Sequence, residues 1–257
     1  MSAPILRTEG LGVSFGGLRA VDAVDLEIER GKITTIIGPN GAGKTTLFNL
    51  IGGTVPPSRG RILLDGEDVT GLAPHRMARR GVARTFQTTR LFPEASVLEN
   101  VMVGCRLHTR SNVVDAVFRT GRHRREEASC REGALEALSL VGVRELADRQ
   151  VGSVSQEARK RVAMALALAT RPGLLLLDEP AAGINPHETV GLGASIRSIA
   201  EHGVTVCLVE HKMRLVMDLS DHVVVLNQGR KIAEGTPAQI RDDPAVIDAY
   251  LGADHDA

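Results

Sequence analysis

The chain has 257 residues, 43% of them hydrophobic, with 31 basic and 31 acidic side chains and no net charge. That length and apolar content suffice for a full core, and the charge balance lacks the positive footprint of most nucleic-acid binders, so no nucleic-acid partner is expected. The longest apolar runs, at 162–169 and 174–177, fall far short of the roughly 18 residues that a membrane span requires.

The first residues carry neither a basic segment leading into an apolar one nor an Arg/Ser-rich amphipathic pattern, so no export or transit signal is expected and the chain should stay in the cytoplasm. Residues 5–9, 24–29 and 33–37 read as strands separated by glycine-rich turns. The third is β-branched and uncharged, as a buried strand would be, and it runs straight into a glycine-rich loop. Residues 44–51 then show helical periodicity, which Gly52-Gly53 ends.

The loop Gly38-Pro39-Asn40-Gly41-Ala42-Gly43-Lys44-Thr45 fits the phosphate-binding pattern G-x-x-x-x-G-K-[ST]. Its glycines let the backbone turn N–H groups inward. Those donors, the positive end of the following helix and the Lys44 ammonium converge on β- and γ-phosphates, and the Thr45 hydroxyl suits Mg²⁺.

Further on, 62–65 and 82–86 read as strands, and 93–103 and 106–146 as helices joined by polar loops. An Arg-, Glu- and Ala-rich composition predicts a mostly helical subdomain over 90–150. The basic run at 122–125 is followed by two glutamates, so it reads as a solvated helix face. Cysteines 105, 130 and 207 lack CxxC-type spacing and read as reduced cytosolic thiols. A helix over 157–169, a strand at 174–177, a helix from about 188, a strand at 204–209, a helix and a strand at 223–226 follow. That alternation predicts a mainly parallel sheet covered on both faces.

Leu174-Leu175-Leu176-Leu177-Asp178-Glu179-Pro180 is a buried strand ending in two carboxylates, at the sheet edge where ligands bind. Alone, such a pair reads as a strand entering a turn. Beside a phosphate loop, Asp178 is placed to hold Mg²⁺ through water and Glu179 to polarise an attacking water as general base.

With Gln87, the Ser155 region and His211 in the same order, the sequence resembles the ATP-binding cassette (ABC) family over essentially its full length. The resemblance implies an α/β fold: a P-loop NTPase cassette with a RecA-like, mainly parallel sheet core, an N-terminal antiparallel β subdomain and an inserted helical subdomain. One domain would cover 1–257, with 1–89 and 151–257 as nucleotide-binding core and 90–150 as the helical part. It also implies an ATPase using ATP and Mg²⁺. Two cassettes would close on two ATP molecules, each site joining one chain's phosphate loop to the other's signature helix.

Position by position, the resemblance gives Phe15 the role of stacking on adenine. Gly38, Pro39, Asn40, Gly41, Ala42, Gly43, Lys44, Thr45 and Thr46 would bind ATP. Thr45, Gln87 and Asp178 would hold the metal, Gln87 also sensing the membrane subunit. Lys44, Glu179 and His211 form the expected catalytic set, His211 contacting the γ-phosphate. Residues 181–186 resemble the loop that touches the partner cassette, and are equally an ordinary Gly/Asn/Pro turn. No Asn-Lys-x-Asp motif supports a guanine-nucleotide reading.

The stretches 84–92, 179–186, 227–230, 234–237 and 243–252 are similar to ATP-binding subunits of branched-chain amino acid transporters of the LivG type. That likeness implies ATP-driven import of branched-chain or related hydrophobic amino acids from a peripheral position on the cytoplasmic face of the membrane. Two permease subunits and, indirectly, an extracytoplasmic solute-binding protein would be partners. An ABC ATPase for another solute, or a non-transport or regulatory cassette with weak hydrolysis, are the alternatives.

The family signature, Leu-Ser-x-Gly-Gln, falls on Val154-Ser155-Gln156-Glu157-Ala158, where only the serine matches. Ser155 is expected to cap a helix and Glu157 to complement its dipole. Glu157 also brings bulk and negative charge to where a partner's γ-phosphate would sit, and apposed like charges cost several kcal/mol. Ser155, Gln156 and Glu157 thus form a degenerate signature, and the expectation is a heterodimer with a cassette whose signature is intact.

Overall fold

The computed structural model describes residues 3–85, 91–108 and 121–253. Gln87 lies outside the described residues. The chain divides into two compact units, one of 1–87, 173–183 and 200–257, the other of 88–172 and 184–199. The helical segment expected over 90–150 lies within the second, which also takes in 151–172 and 184–199.

The first unit holds two sheets. β1 (Pro4–Phe15) and β2 (Leu18–Glu29) form an antiparallel hairpin, longer than the sequence reading because Gly10 and Gly12 do not end β1. They sit at register shifts between Thr8 and Leu11 and between Leu11 and Val13, with Gly10 at φ +56°, so the glycines mark bulges inside one strand. β4 (Arg59–Leu64) and β5 (Glu67–Asp68) complete an antiparallel sheet ordered β2-β1-β4-β5, with β3 belonging elsewhere.

The second sheet runs β10-β9-β3-β8-β7-β6. β3 (Ile33–Ile37), β6 (Val82–Thr85), β7 (Leu174–Asp178), β8 (Thr205–Val209) and β9 (His222–Asn227) are parallel neighbours. Every residue of β3, β7 and β8 is buried, as a sheet covered on both faces requires. β10 (Arg230–Gly235) turns back antiparallel through Gln228 and Gly229, both at positive φ, which is the geometry of a tight hairpin.

Phe48 and Leu47 of α1 (Lys44–Ile51) join a core with Leu6, Leu26, Ile62 and Leu176, which ties the two sheets of this unit together. α2 (Pro74–Arg79) contributes Met77 to it.

In the second unit α3 (Val97–Cys105) begins at a capping box between Ser96 and Glu99 rather than at 93. The helix expected over 106–146 is described as a short 3₁₀ turn at Arg106–His108, α4 (Gly121–Leu140) and a second 3₁₀ turn at Arg144–Leu146, with Gly142 at φ +71° breaking the run. α5 (Gln156–Leu168) packs on α3 and α4. α6 (Pro186–Glu201) starts at Asn185, whose side chain accepts from Glu188 N.

α7 (Met213–Leu219), α8 (Pro237–Arg241) and α9 (Pro244–Ala253) close the first unit. Val216, Ile240 and Val246 from them cluster with Ile37, Val223 and Val225. Among the described residues no helix is long and apolar enough to cross a membrane.

Candidate active site

Because β3, β7 and β8 are adjacent and parallel, their carboxyl ends deliver the phosphate loop, Asp178-Glu179 and Glu210-His211 to one edge of the sheet. The loop can follow its path only with glycine at two points. A Cβ on Gly38 (φ +149°) would stand 2.1 Å from Leu226 O, and one on Gly43 (φ +98°) 2.4 Å from Ala20 O. The β9–β10 turn clamps the loop from outside, where Gly229 N donates to Ala42 O at 3.0 Å and Asp22 N to Gly229 O at 2.8 Å.

Lys44 is 5% exposed, and its Nζ donates to Gly38 O at 2.7 Å and Pro39 O at 2.9 Å. Burial lowers the ammonium's pKa, and the nearby Glu179 carboxylate opposes that shift. Gly43 supplies no capping side chain to α1, so the first-turn N–H groups face the loop's ligand space.

Residues 40–46, Glu179 and His211 line one cavity of about 610 Å³ with Leu18, Arg19, Ala20, Gln228 and Gly229. Gly38 and Pro39 stand behind it as acceptors for Lys44. Phe15 is not among the lining residues. It is 50% exposed and pairs in register with Leu18, which does line the cavity.

Asp178 is 5% exposed. Its Oδ2 accepts from Arg84 Nη2 at 2.8 Å, and Arg84 Nη1 donates to Asn49 Oδ1 at 2.7 Å while the guanidinium lies 5.8 Å from the Phe48 ring centroid. Asp178 Oδ1 is buried without a hydrogen-bond partner among the described residues. A buried carboxylate oxygen left so is costly unless a cation takes it up. No group of three or more His, Cys, Asp or Glu that could hold a metal is found among the described residues. One carboxylate oxygen of Asp178 and the Thr45 hydroxyl, both at the carboxyl edge of the same sheet, are a donor set that suits Mg²⁺, which takes few protein ligands and completes its shell with water and phosphate.

Glu179 follows at φ +48°, a left-handed conformation uncommon outside glycine and enriched at active sites. Its N–H donates to Val209 O at 3.0 Å, and its Oε1 lies 2.5 Å from His211 Nε2. Glu210, 2% exposed, fixes both strand exits. Its Oε1 accepts from Ala181 N at 2.8 Å, and its Oε2 from His211 N at 2.9 Å and Lys212 N at 3.1 Å. Sequence reasoning missed Glu210, Arg84 and Leu18. The available signal for Glu210 was an acid directly after an uncharged strand and directly before His211.

In the second unit Ser155 caps α5, its hydroxyl accepting from Ala158 N at 3.1 Å. Gln156 is exposed. Glu157 pairs with Arg161 one turn along, each side chain less than one-fifth exposed. Arg161 Nη1 also donates to Val141 O at 3.3 Å. The charge at Glu157 is therefore compensated within its own helix, a feature the sequence reading left out, while its bulk at the helix start remains.

The profile of the family described as "ABC transporter" matches residues 21–182, and that of the "Branched-chain amino acid ATP-binding cassette transporter" matches 230–256. The chain is 49% identical to the high-affinity branched-chain amino acid transport ATP-binding protein BraF of Pseudomonas aeruginosa, over 98% of this chain and 99% of the relative. It is 43% identical to LivG of Escherichia coli, with the same coverage. A crystal structure of the ADP conformation of an ATP-binding cassette of an ABC transporter superposes with a TM-score of 0.85 at 32% identity, covering 98% of this chain and 100% of that one. A nucleotide-free cassette superposes at 0.83 and 32%, covering 96% and 98%.

Proposed function

This chain belongs to the ABC transporter family, and we propose that it is the ATPase subunit that powers import of branched-chain or related hydrophobic amino acids through a membrane permease. The observation that carries the ATPase reading is the meeting of Lys44, Thr45, Glu179 and His211 on one cavity, with the orphaned oxygen of Asp178 on the strand that ends beside Glu179. The choice of solute follows from likeness to BraF and LivG.

In this reading the loop amides, the start of α1 and Lys44 hold the β- and γ-phosphates, while Phe15 and Leu18 lie on the adenine side. Asp178, Thr45 and Gln87 would hold Mg²⁺. When bound, Mg²⁺ neutralises charge on the transferring phosphoryl group. Glu179 accepts the proton of the attacking water, and His211 keeps its carboxylate oriented and contacts the γ-phosphate.

The chain would act on the cytoplasmic face with two permease subunits, served indirectly by an extracytoplasmic solute-binding protein. Opposite it we place a second, different cassette. Glu157 supports that choice, since it puts a charged side chain in the first turn of the helix that would otherwise receive the partner's γ-phosphate.

The test is uptake of radiolabelled leucine into vesicles that carry the permease, both cassettes and the binding protein. ATP-dependent uptake that disappears with Glu179→Gln is expected. Robust ATP hydrolysis stimulated by an unrelated solute and never by leucine, isoleucine or valine would sink the amino-acid assignment.

A further inference from the structure

Glu210 is 2% exposed and does not line the cavity, so whatever it does for the site it does from behind. Its backbone N–H donates to Ile36 O at 3.4 Å, which holds the exit of β8 against β3, the strand that feeds the phosphate loop. Its carboxylate then spans two loops. Oε2 accepts from His211 N at 2.9 Å and Lys212 N at 3.1 Å, and Oε1 accepts from Ala181 N at 2.8 Å.

Two of these three bonds have a local explanation. Lys212 is the N-cap of α7 and supplies no side-chain cap, so an acid just before it satisfies the N–H groups leading into that helix. The third has no such explanation, because Ala181 lies 29 residues away, past the exit of β7. Ala181 stands two residues after Glu179, whose own N–H is tied to Val209 O at 3.0 Å. The Glu179 backbone, at φ +48°, is thus pinned to the exit of β8 twice, once directly and once through Ala181. On the other oxygen of the same carboxylate hangs His211, whose Nε2 lies 2.5 Å from Glu179 Oε1. One buried side chain closes a ring that runs from Glu179 through Ala181 and Glu210 to His211 and back.

We propose that Glu210 is a positioning residue for hydrolysis, its two carboxylate oxygens setting the separation of Glu179 and His211 so that both meet the attacking water. This rests on the reading of Glu179 as the base and His211 as its partner. Among the described residues the hydrogen bonds of Glu210 reach none of 38–46, so nucleotide binding is left to the phosphate loop and Lys44. Losing the brace therefore slows the chemical step and spares affinity, since misplacing a reacting group by about 1 Å costs on the order of 10²-fold in rate.

The experiment measures kcat and KM for ATP in the assembled transporter, with Tm and ATP affinity of the full chain, for the parent, Glu210→Gln, Glu210→Asp and Ser220→Ala. Glu210→Gln keeps the size but turns one acceptor into a donor, so one of the two loops meets a donor with a donor. Glu210→Asp keeps the charge and still serves the amides one and two residues on, as Asp does in turns, but is one methylene too short for Ala181. Both are expected to lower kcat by about ten- to a hundredfold, with KM and ATP affinity within about twofold of the parent. Glu210→Asp carries the test alone if Glu210→Gln does not fold. Ser220→Ala deletes the hydroxyl pair with Thr35, at 2.5 Å in the same unit, and is expected to lower Tm with kcat unchanged. Parent-like kcat in Glu210→Asp overturns the proposal, because the bond to Ala181 is then idle. A rise in KM that matches the fall in kcat, or an equal fall of kcat in Ser220→Ala, overturns it as well, as the mark of a general loosening. Glu179→Gln hydrolysing at the parent's rate in the same complex overturns the reading of the site instead, and the proposal with it.

Discussion

His211 Nε2 stands 2.5 Å from Glu179 Oε1, and the backbone that aims this carboxylate is held at φ +48°. A non-glycine residue in that region costs of order 1–3 kcal/mol and persists only where its surroundings over-determine it. Here the surroundings are the Glu179 N–H bond to Val209 O and the Glu210 carboxylate, which ties Ala181 to His211 and Lys212. Two strand exits are locked together so that one acid and one imidazole face the same cavity.

In the role proposed for it, Glu179 is the base, and Glu179→Gln would remove that base but keep size and hydrogen-bonding capacity. The expected outcome is retained ATP binding with hydrolysis lowered by about 10²–10⁴-fold. Filter binding and single-turnover hydrolysis in the assembled transporter check it. A variant that binds no ATP, or that hydrolyses at the parent's rate, removes Glu179 from the role of base.

Arg84 and Asp178 form the other close pair, each side chain less than one-tenth exposed. Breaking a buried pair by deleting one partner costs about 3–5 kcal/mol. Arg84→Met is therefore expected to lower Tm by roughly 6–20 °C, at about 2–4 °C per kcal/mol for a domain near this size. Adding Asp178→Asn to it should restore part of the loss, because removing both charges leaves none stranded. Calorimetric melts of the parent, the single variant and the double variant decide this. A single variant melting with the parent means the guanidinium is not what balances Asp178.

Much of this architecture is legible in the sequence, for physical reasons that also mark the limit. β3, β7 and β8 read correctly because strands buried on both faces are nearly free of charge, Asp178 at the end of β7 being the exception, and Lys44–Ile51 because its helix starts at a glycine loop and ends at Gly52. β1 was cut short because glycine signals a turn far more often than a bulge. β10, polar and only partly buried, has no apolar alternation to find. The Arg84–Asp178 pair joins residues 94 apart, a separation across which no local pattern can act. Glu157 shows the opposite failure, since Arg161 lies four residues on, the spacing at which helix side chains meet.

The cysteines give a pH test. Burial, and then a hydrogen bond with Cys105, push the Cys130 thiol up to about 12. At pH 8 an ordinary thiol near 8.5 is about one-quarter thiolate, whereas Cys130 is about one part in ten thousand. Higher basicity makes its thiolate more nucleophilic and recovers part of that gap. Alkylation of Cys130 by iodoacetamide should run tens of times slower in the native chain than in the denatured one, rising about tenfold per pH unit from 8 to 10 without levelling off. Cys207, fully buried and pushed higher still by desolvation alone, should label only on unfolding. Since both folded thiols keep their protons above the unfolded pKa, stability is undiminished below about pH 8.5 and falls as pH rises beyond it. Peptide mapping by mass spectrometry reads the rates, and native labelling of Cys130 at the denatured rate contradicts the burial argument.

Glu157 separates a symmetric transporter from an asymmetric one. Its carboxylate is neutralised by Arg161, so in the proposed asymmetric pair the obstacle it would present to a partner's ATP is mainly bulk at the first turn of α5, with Ser155 already spent on capping Ala158 N. Glu157→Gly clears that space. It also strands part of Arg161 and places glycine in a helix, at about 1 kcal/mol relative to alanine, so Tm should drop by a few degrees. If the chain functions opposite a cassette with an intact signature, the parent complex should hydrolyse one of its two bound ATP molecules promptly and hold the other. The variant complex should hydrolyse both, and the variant chain alone should gain activity that the parent alone lacks. Rapid-quench measurement of ATP turned over per complex distinguishes one from two. Brisk, cooperative hydrolysis by the parent chain alone, unchanged by Glu157→Gly, would mean that two copies of this chain complete each other's sites despite the side chain.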